Sequence, residues 1–139
     1  MSVEIDIRYD GGLRCTALHG PSNNSLVTDA PTDNGGQGAA FSPTDLVATA
    51  LGSCILTILG LVAQCHDWDL TGSTVHVIKD MAAAPLRRIG QLTVTITLPP
   101  GQRWSPEDRQ RLERAAELCP VKQSLHPDVQ TLIEFRYPE

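Results

Sequence analysis

Ser42-Pro43-Thr44-Asp45-Leu46-Val47-Ala48-Thr49-Ala50-Leu51-Gly52-Ser53-Cys54-Ile55-Leu56-Thr57-Ile58-Leu59-Gly60-Leu61-Val62-Ala63-Gln64-Cys65 is the segment around which the rest of the chain has to be arranged. It opens as a helix opens, with Ser42 as N-cap, Pro43 at the first helical position and an acid at the third. From Leu46 to Cys65 no residue is charged, a run long enough to raise the question of a membrane span. Thr49, Gly52, Ser53, Thr57, Gly60 and Gln64 interrupt the run, and strand patterns flank it, so the reading is a buried central helix. Such a helix needs cover on nearly every side. A second copy of the chain would supply what one small sheet cannot.

Working outward toward the N-terminus, Val3, Ile5, Ile7 and Tyr9 alternate with charged residues, the pattern of a half-buried strand. Asp10-Gly11-Gly12 signals a hairpin, Leu13 to Leu18 reads as the return strand, and Ser25 to Asp29 as a third. Ala30 to Ala40, rich in Pro, Asp, Asn and Gly, reads as a mobile loop. On the other side of the helix, Leu70 to Ile78 and Gln91 to Leu98 read as strands, the second ended by Pro99-Pro100-Gly101. Ser105-Pro106-Glu107-Asp108 repeats the helix-start chemistry, and Leu112, Ala115, Ala116 and Cys119 then fall on one apolar face. Pro120 breaks that helix and begins a short one with Cys119 at its N-cap. Val129, Thr131, Ile133, Phe135 and Tyr137 close the chain as an alternating strand. The expected order is β-β-β-α-β-β-α-α-β, an α+β fold in a single domain over 1–139.

A chain of 139 residues with 41 % hydrophobic and 19 % charged residues is globular in composition. Its 11 basic and 16 acidic residues leave a net charge of −5, which argues against a nucleic-acid partner. The 4 cysteines are too sparse for a disulfide scaffold and form no Cys-x-x-Cys pair. The start Met-Ser-Val-Glu-Ile-Asp lacks the basic and apolar regions of a secretory leader, so the expected compartment is the reducing cytoplasm. Cys65 and His66 are adjacent, unlike the spaced ligands of a structural zinc site, and the reading calls for no metal, no cofactor and no membrane. Gly35-Gly36-Gln37-Gly38 lacks the strand and lysine of a phosphate loop.

Two thiols carry the chemical interest. Cys54 lies midway along the uncharged helix, where a free cysteine usually serves as a small hydrophobe. Cys119, at a helix N-cap, faces unpaired amides and the positive end of the helix dipole, which favours thiolate and predicts a lowered pKa. Lys122 adds a positive charge in the next turn. His19, His76 and His126 are scattered, and Cys15 sits in an edge-like strand.

Leu13-Arg14, Thr28-Asp29-Ala30-Pro31, Asp33-Asn34, Phe41-Ser42-Pro43-Thr44-Asp45-Leu46, Ala50-Leu51-Gly52-Ser53-Cys54 and Cys119-Pro120-Val121 together resemble the OsmC/Ohr family. The resemblance covers nearly the whole chain, and the two cysteine motifs are its most specific part. It implies antiparallel sheets around a long buried central helix, an intertwined homodimer, and active sites where the subunits meet. It also implies a thiol peroxidase for organic hydroperoxides, recycled by a dihydrolipoamide-type dithiol. By position, Cys54 matches the peroxidatic cysteine and Cys119 the resolving one.

The resemblance further implies an activating arginine and glutamate. Arg14 stands where one branch of the family has its arginine. Thr44 replaces the glutamate and offers a hydroxyl without charge. Asp45, nine residues before Cys54, falls on the opposite side of the helix and is engaged as the third residue of the cap. Two other readings use the same fold: a noncatalytic protein binding a small hydrophobic ligand, and a redox sensor whose disulfide alters partner binding.

Overall fold

A three-stranded antiparallel sheet opens the chain: β1 (Ile5–Gly11), β2 (Arg14–His19) and β3 (Ser25–Asp29), in that spatial order. A computed structural model describes every residue from Met1 to Glu139, in two compact units, Met1–Val47 and Ala48–Glu139. Between β1 and β2 the chain reverses through three residues with positive φ: Gly11 (84°), Gly12 (61°) and Leu13 (63°). Two of these are glycines, which adopt the left-handed region without a Cβ clash. Ile7 faces Ala17 and Tyr9 faces Cys15, while Cys15 in turn faces Thr28. The alternation in β1 is as read from the sequence, but its burial is not. Ile5, Ile7 and Tyr9 are 56 %, 66 % and 64 % exposed, because no other element of the first unit covers that face.

The glycine-rich segment after β3 has more order than its composition suggests. Thr32–Asn34 makes one 3-10 turn. Gly38 N–H donates to the Ala30 carbonyl at 3.1 Å, and Ala39 N–H to Asp29 Oδ2 at 2.9 Å. Gly36 passes so close to Ala30 that a Cβ there would overlap its carbonyl.

Helix α1 (Pro43–Cys65) begins with a reciprocal cap. The Asp45 amide donates to Ser42 Oγ at 3.1 Å, and the Ser42 amide donates to Asp45 Oδ2 at 2.9 Å. This pairing satisfies two amides that have no partner inside the helix. α1 is long and apolar enough to span a membrane by length and composition. In the fold it buries one stripe, Ala48, Leu51, Gly52, Ile55, Leu59 and Ala63, while Leu61 is exposed. The expected all-round burial is therefore not met within one chain.

In the second unit α1 packs on β4 (Thr74–Ala82), which pairs antiparallel with β5 (Arg88–Thr97). The approach is close at Gly52, where an added Cβ would lie 3.1 Å from both Val75 Cγ1 and Val77 Cγ2. After β5 come α2 (Pro106–Glu117), α3 (Pro120–Ser124) and β6 (Gln130–Arg136). β6 pairs with β5 in parallel, which corrects the expectation of antiparallel sheets. The reason is the connection: α2 and α3 carry the chain across between the two strands, and such a crossover returns the second strand in the same direction. As the central strand, β5 buries Leu92, Val94 and Ile96 completely.

The boundaries of β4 differ from expectation for a local reason. Leu70 to Ser73 forms a turn containing Gly72 at φ 92°, with Ser73 N–H donating to the Leu70 carbonyl, so the strand starts only at Thr74. The buried side of α2 is Leu112 and Ala116, with Cys119 just beyond its end, as the spacing predicts.

Candidate functional site

The same dipeptide logic starts all three helices: Ser42-Pro43, Ser105-Pro106 and Cys119-Pro120. Proline fits the first helical position because the amide it lacks would have no helical partner there. Ser105 Oγ accepts from the Asp108 amide at 3.1 Å. In the third case a thiol does the work of a hydroxyl, and Cys119 Sγ accepts from the Lys122 amide at 3.3 Å. α2 thus delivers Cys119 to a turn that fixes the direction of its sulfur.

α1 brings Cys54 to the same place. Gly52, two residues earlier, lets the helix settle on β4, and Cys54 is half-buried one position before the fully buried Ile55. The two thiols lie near enough for Cys54 to act on the titration of Cys119, although 65 positions separate them in sequence. All four cysteines are free thiols; Cys15 is half-buried in β2 and Cys65 exposed at the end of α1.

Burial pushes the Cys119 thiol up from its ordinary value, and the hydrogen bond and charge of Cys54 push it further in the same direction. The amides of Lys122 and Val121 pull it down, but less strongly. The N-cap expectation is therefore correct in geometry and wrong in net direction, because Cys119 is completely buried and desolvation outweighs the amides. The Lys122 charge is also directed elsewhere. Its Nζ lies 2.7 Å from Glu117 Oε2, an ion pair the sequence reading missed and for which a separation of five residues gave no helical signal. The Gln123 side-chain amide, 2.9 Å from the Glu117 carbonyl, ties the same turn together. Cys119 is thus held as a protonated thiol against Cys54.

Arg14 and Thr44 belong to the first unit. Arg14 is exposed at the start of β2, opposite Asp29 in the β2–β3 register, and its charge acts on the Asp10 carboxyl. Thr44 Oγ1 is 3.3 Å from Ser42 Oγ, so its hydroxyl belongs to the cap of α1. Asp29 is a buried carboxylate in this unit, with Oδ1 lacking any partner. No periodicity marks it, since in sequence it is one more strand residue.

The family model for OsmC-like protein matches residues 35–134. Among solved structures, the chain is similar to a Psychrobacter arcticus 273-4 protein provisionally named an osmotic stress induced and detoxification response protein. That match has 43 % identity and a TM-score of 0.88, over 94 % of this chain and 93 % of the other. A Legionella pneumophila organic hydroperoxide resistance protein OsmC matches with 16 % identity and a TM-score of 0.77, over 98 % and 97 % of the two chains. The organic hydroperoxide resistance protein OhrB of Bacillus subtilis matches with 18 % identity and a TM-score of 0.69, over 98 % of each chain. These last two likenesses concern the fold. No curated protein sequence matches the chain.

Proposed function

The chain belongs to the OsmC-like family, and from that membership and its paired thiols we propose that it reduces organic hydroperoxides, with Cys54 attacking and Cys119 resolving. The observation that carries this reading is the proximity of the two thiols, close enough for Cys54 to act on the titration of Cys119. A thiol pair drawn together by α1 and the α2–α3 turn is arranged for disulfide formation, whereas an isolated buried cysteine is not. That two structural relatives are named for organic hydroperoxide resistance supports the choice of substrate.

The Cys54 thiolate attacks the O–O bond. One oxygen stays on sulfur as a sulfenic acid, and the other leaves as the alcohol after taking a proton. The Cys119 sulfur then displaces that hydroxyl, forming the Cys54–Cys119 disulfide and releasing water. A dithiol of the dihydrolipoamide type reopens the pair by exchange and is itself oxidised to a disulfide. Protonated Cys119 suits the second role, since a neutral thiol beside Cys54 does not repel its thiolate. Arg14 is the activating cation in this reading. Without the family's glutamate to hold it, Arg14 acts with less constraint, and turnover is correspondingly slow. The uncovered faces of β1 and α1 support a homodimer, and the compartment proposed is cytoplasmic.

The test is turnover of cumene hydroperoxide with dihydrolipoamide, together with peptide mapping after mild oxidation. Wild-type chain is expected to turn over and to yield a Cys54–Cys119 disulfide. Cys54→Ser should abolish consumption, and Cys119→Ser should allow a single event before Cys54 overoxidises. Arg14→Ala should slow the first step about tenfold or more, the scale of one lost charge-assisted contact. Oxidation that joined Cys15 or Cys65 instead would overturn the assignment. A small hydrophobic ligand copurifying with a chain that consumes no peroxide would favour the binding reading.

A further inference from the structure

At the opposite end of α2 from Cys119 lies a cavity of about 490 Å³. Its lining includes Arg103, Trp104, Arg109, Tyr137, Pro138 and Glu139, and neither thiol. α2 has 12 residues and so separates the cavity from the Cys119 turn by about 18 Å.

The lining combines flat apolar surface with two arginine side chains. Trp104 is buried, and its ring meets Trp68 edge-on at 5.0 Å between centroids. Tyr137 is half-buried at the end of β6. Its hydroxyl donates to Glu113 Oε1 at 3.0 Å, and burial, reinforced by that carboxylate, pushes its pKa far up, so the ring stays neutral. Arg109 lies over the Tyr137 ring at 4.3 Å from its centroid. A guanidinium over an aromatic ring is held by the ring's quadrupole and still carries N–H groups that can donate to a ligand. Neither Arg103 nor Arg109 forms an ion pair, although the chain has five more acidic than basic residues and Arg111 on the same helix is bridged to Asp108 at 3.1 Å. Glu139 brings negative charge to the same lining, and the Glu113 carboxylate is held beside it on the Tyr137 hydroxyl, so selection for an anion rests on the two guanidiniums themselves and not on a net charge.

We propose that this cavity binds a small organic carboxylate with a flat apolar body, its carboxylate between Arg103 and Arg109 and its body against Trp104 and Tyr137. The volume lies within the range of small-molecule sites, and a few convergent polar groups in an aromatic lining are what such sites use for orientation. A guanidinium presents paired N–H donors that match a carboxylate, which selects it over a neutral amide of the same shape. The site is independent of the peroxidase reading and lies at the far end of α2 from it.

The chain has 2 tryptophans, so two indole N–H resonances report the site directly. The probes are phenylacetate and its neutral counterpart phenylacetamide, titrated into ¹⁵N-labelled protein. Phenylacetate is expected to shift the Trp104 indole resonance saturably, and phenylacetamide to bind at least about tenfold more weakly. Arg103→Gln and Arg109→Gln, both at exposed residues, should each weaken phenylacetate about tenfold. Arg111→Gln should leave it unchanged, and so should Cys54→Ser. Equal binding of acid and amide would overturn the proposal, as would full affinity in the Arg103→Gln/Arg109→Gln double variant. Equal weakening by Arg111→Gln would reduce the effect to general surface charge and overturn it too.

Discussion

β1 and β5 are written in the same alternating code and end in opposite environments. Leu92, Val94 and Ile96 of β5 are wholly buried, in the strand that lies between β4 and β6. Ile5, Ile7 and Tyr9 of β1 are more than half exposed. Alternation states which residues share a face, and it says nothing about what covers that face. In β5 the chain supplies the cover itself. In β1 the apolar side is left to something else, and a second copy of the chain is the cover proposed above, since a patch of this kind is unusual on a soluble monomer.

The contrast breaks most sharply under truncation. Leu92→Ala should cost about 3 kcal/mol in urea unfolding, at any protein concentration, because its cavity opens inside one chain. Ile7→Ala should cost about 2 kcal/mol at high concentration if a second copy buries the side chain, with the penalty accompanied by weaker association in sedimentation. A cost within about 0.5 kcal/mol at every concentration would return β1 to the status of a bare surface strand. Ser105→Ala should cost about 1 kcal/mol by removing the acceptor for the Asp108 amide, without affecting association.

The smallest effect is one of pH. The folded chain holds the Cys119 proton more tightly than the unfolded chain does, so its contribution to stability is complete below the ordinary thiol pKa of 9.0 and is lost as the pH rises through the folded value. Unfolding free energy should therefore fall on the alkaline side, and Cys119→Ser should flatten that part of the decline. Tyr137 acts in the same direction at still higher pH, which Tyr137→Phe separates. A decline unchanged in Cys119→Ser would mean that its thiol is not as enclosed as the β5 side of the molecule.

The parts of this fold that were legible in sequence are those set by local chemistry. β3 runs from Ser25 to Asp29 as read, and Ser42, Pro43 and Asp45 start α1 because cap, ring and carboxylate each act within one turn. The start of β4 was misread because Leu70 looks like a strand residue until Gly72 turns the backbone. The parallel pairing of β6 depends on where a crossover sends the chain, which no window of residues contains. The candidate site divides in the same way. Pro120 announced the sulfur cap of Cys119, but the direction of its pKa shift depended on burial by residues far away in sequence. Gly52 counted only as an interruption of the apolar run, and its use, a close fit against Val75 and Val77, required the sheet. Arg103 and Arg109 are unremarkable in sequence because only the end of β6 makes them neighbours of one cavity.

Cys119 caps α3 with the same sulfur that the proposed chemistry consumes. A thiol sulfur accepting from the Lys122 amide is a poorer acceptor once it is bound to a second sulfur, so oxidation loosens the first turn of a helix only 5 residues long. The Lys122 amide proton is then a gauge of redox state written into the backbone. It should exchange with solvent deuterium faster in the oxidised chain than in the reduced one, while the Asp108 amide, capped by oxygen at Ser105, keeps the same rate in both.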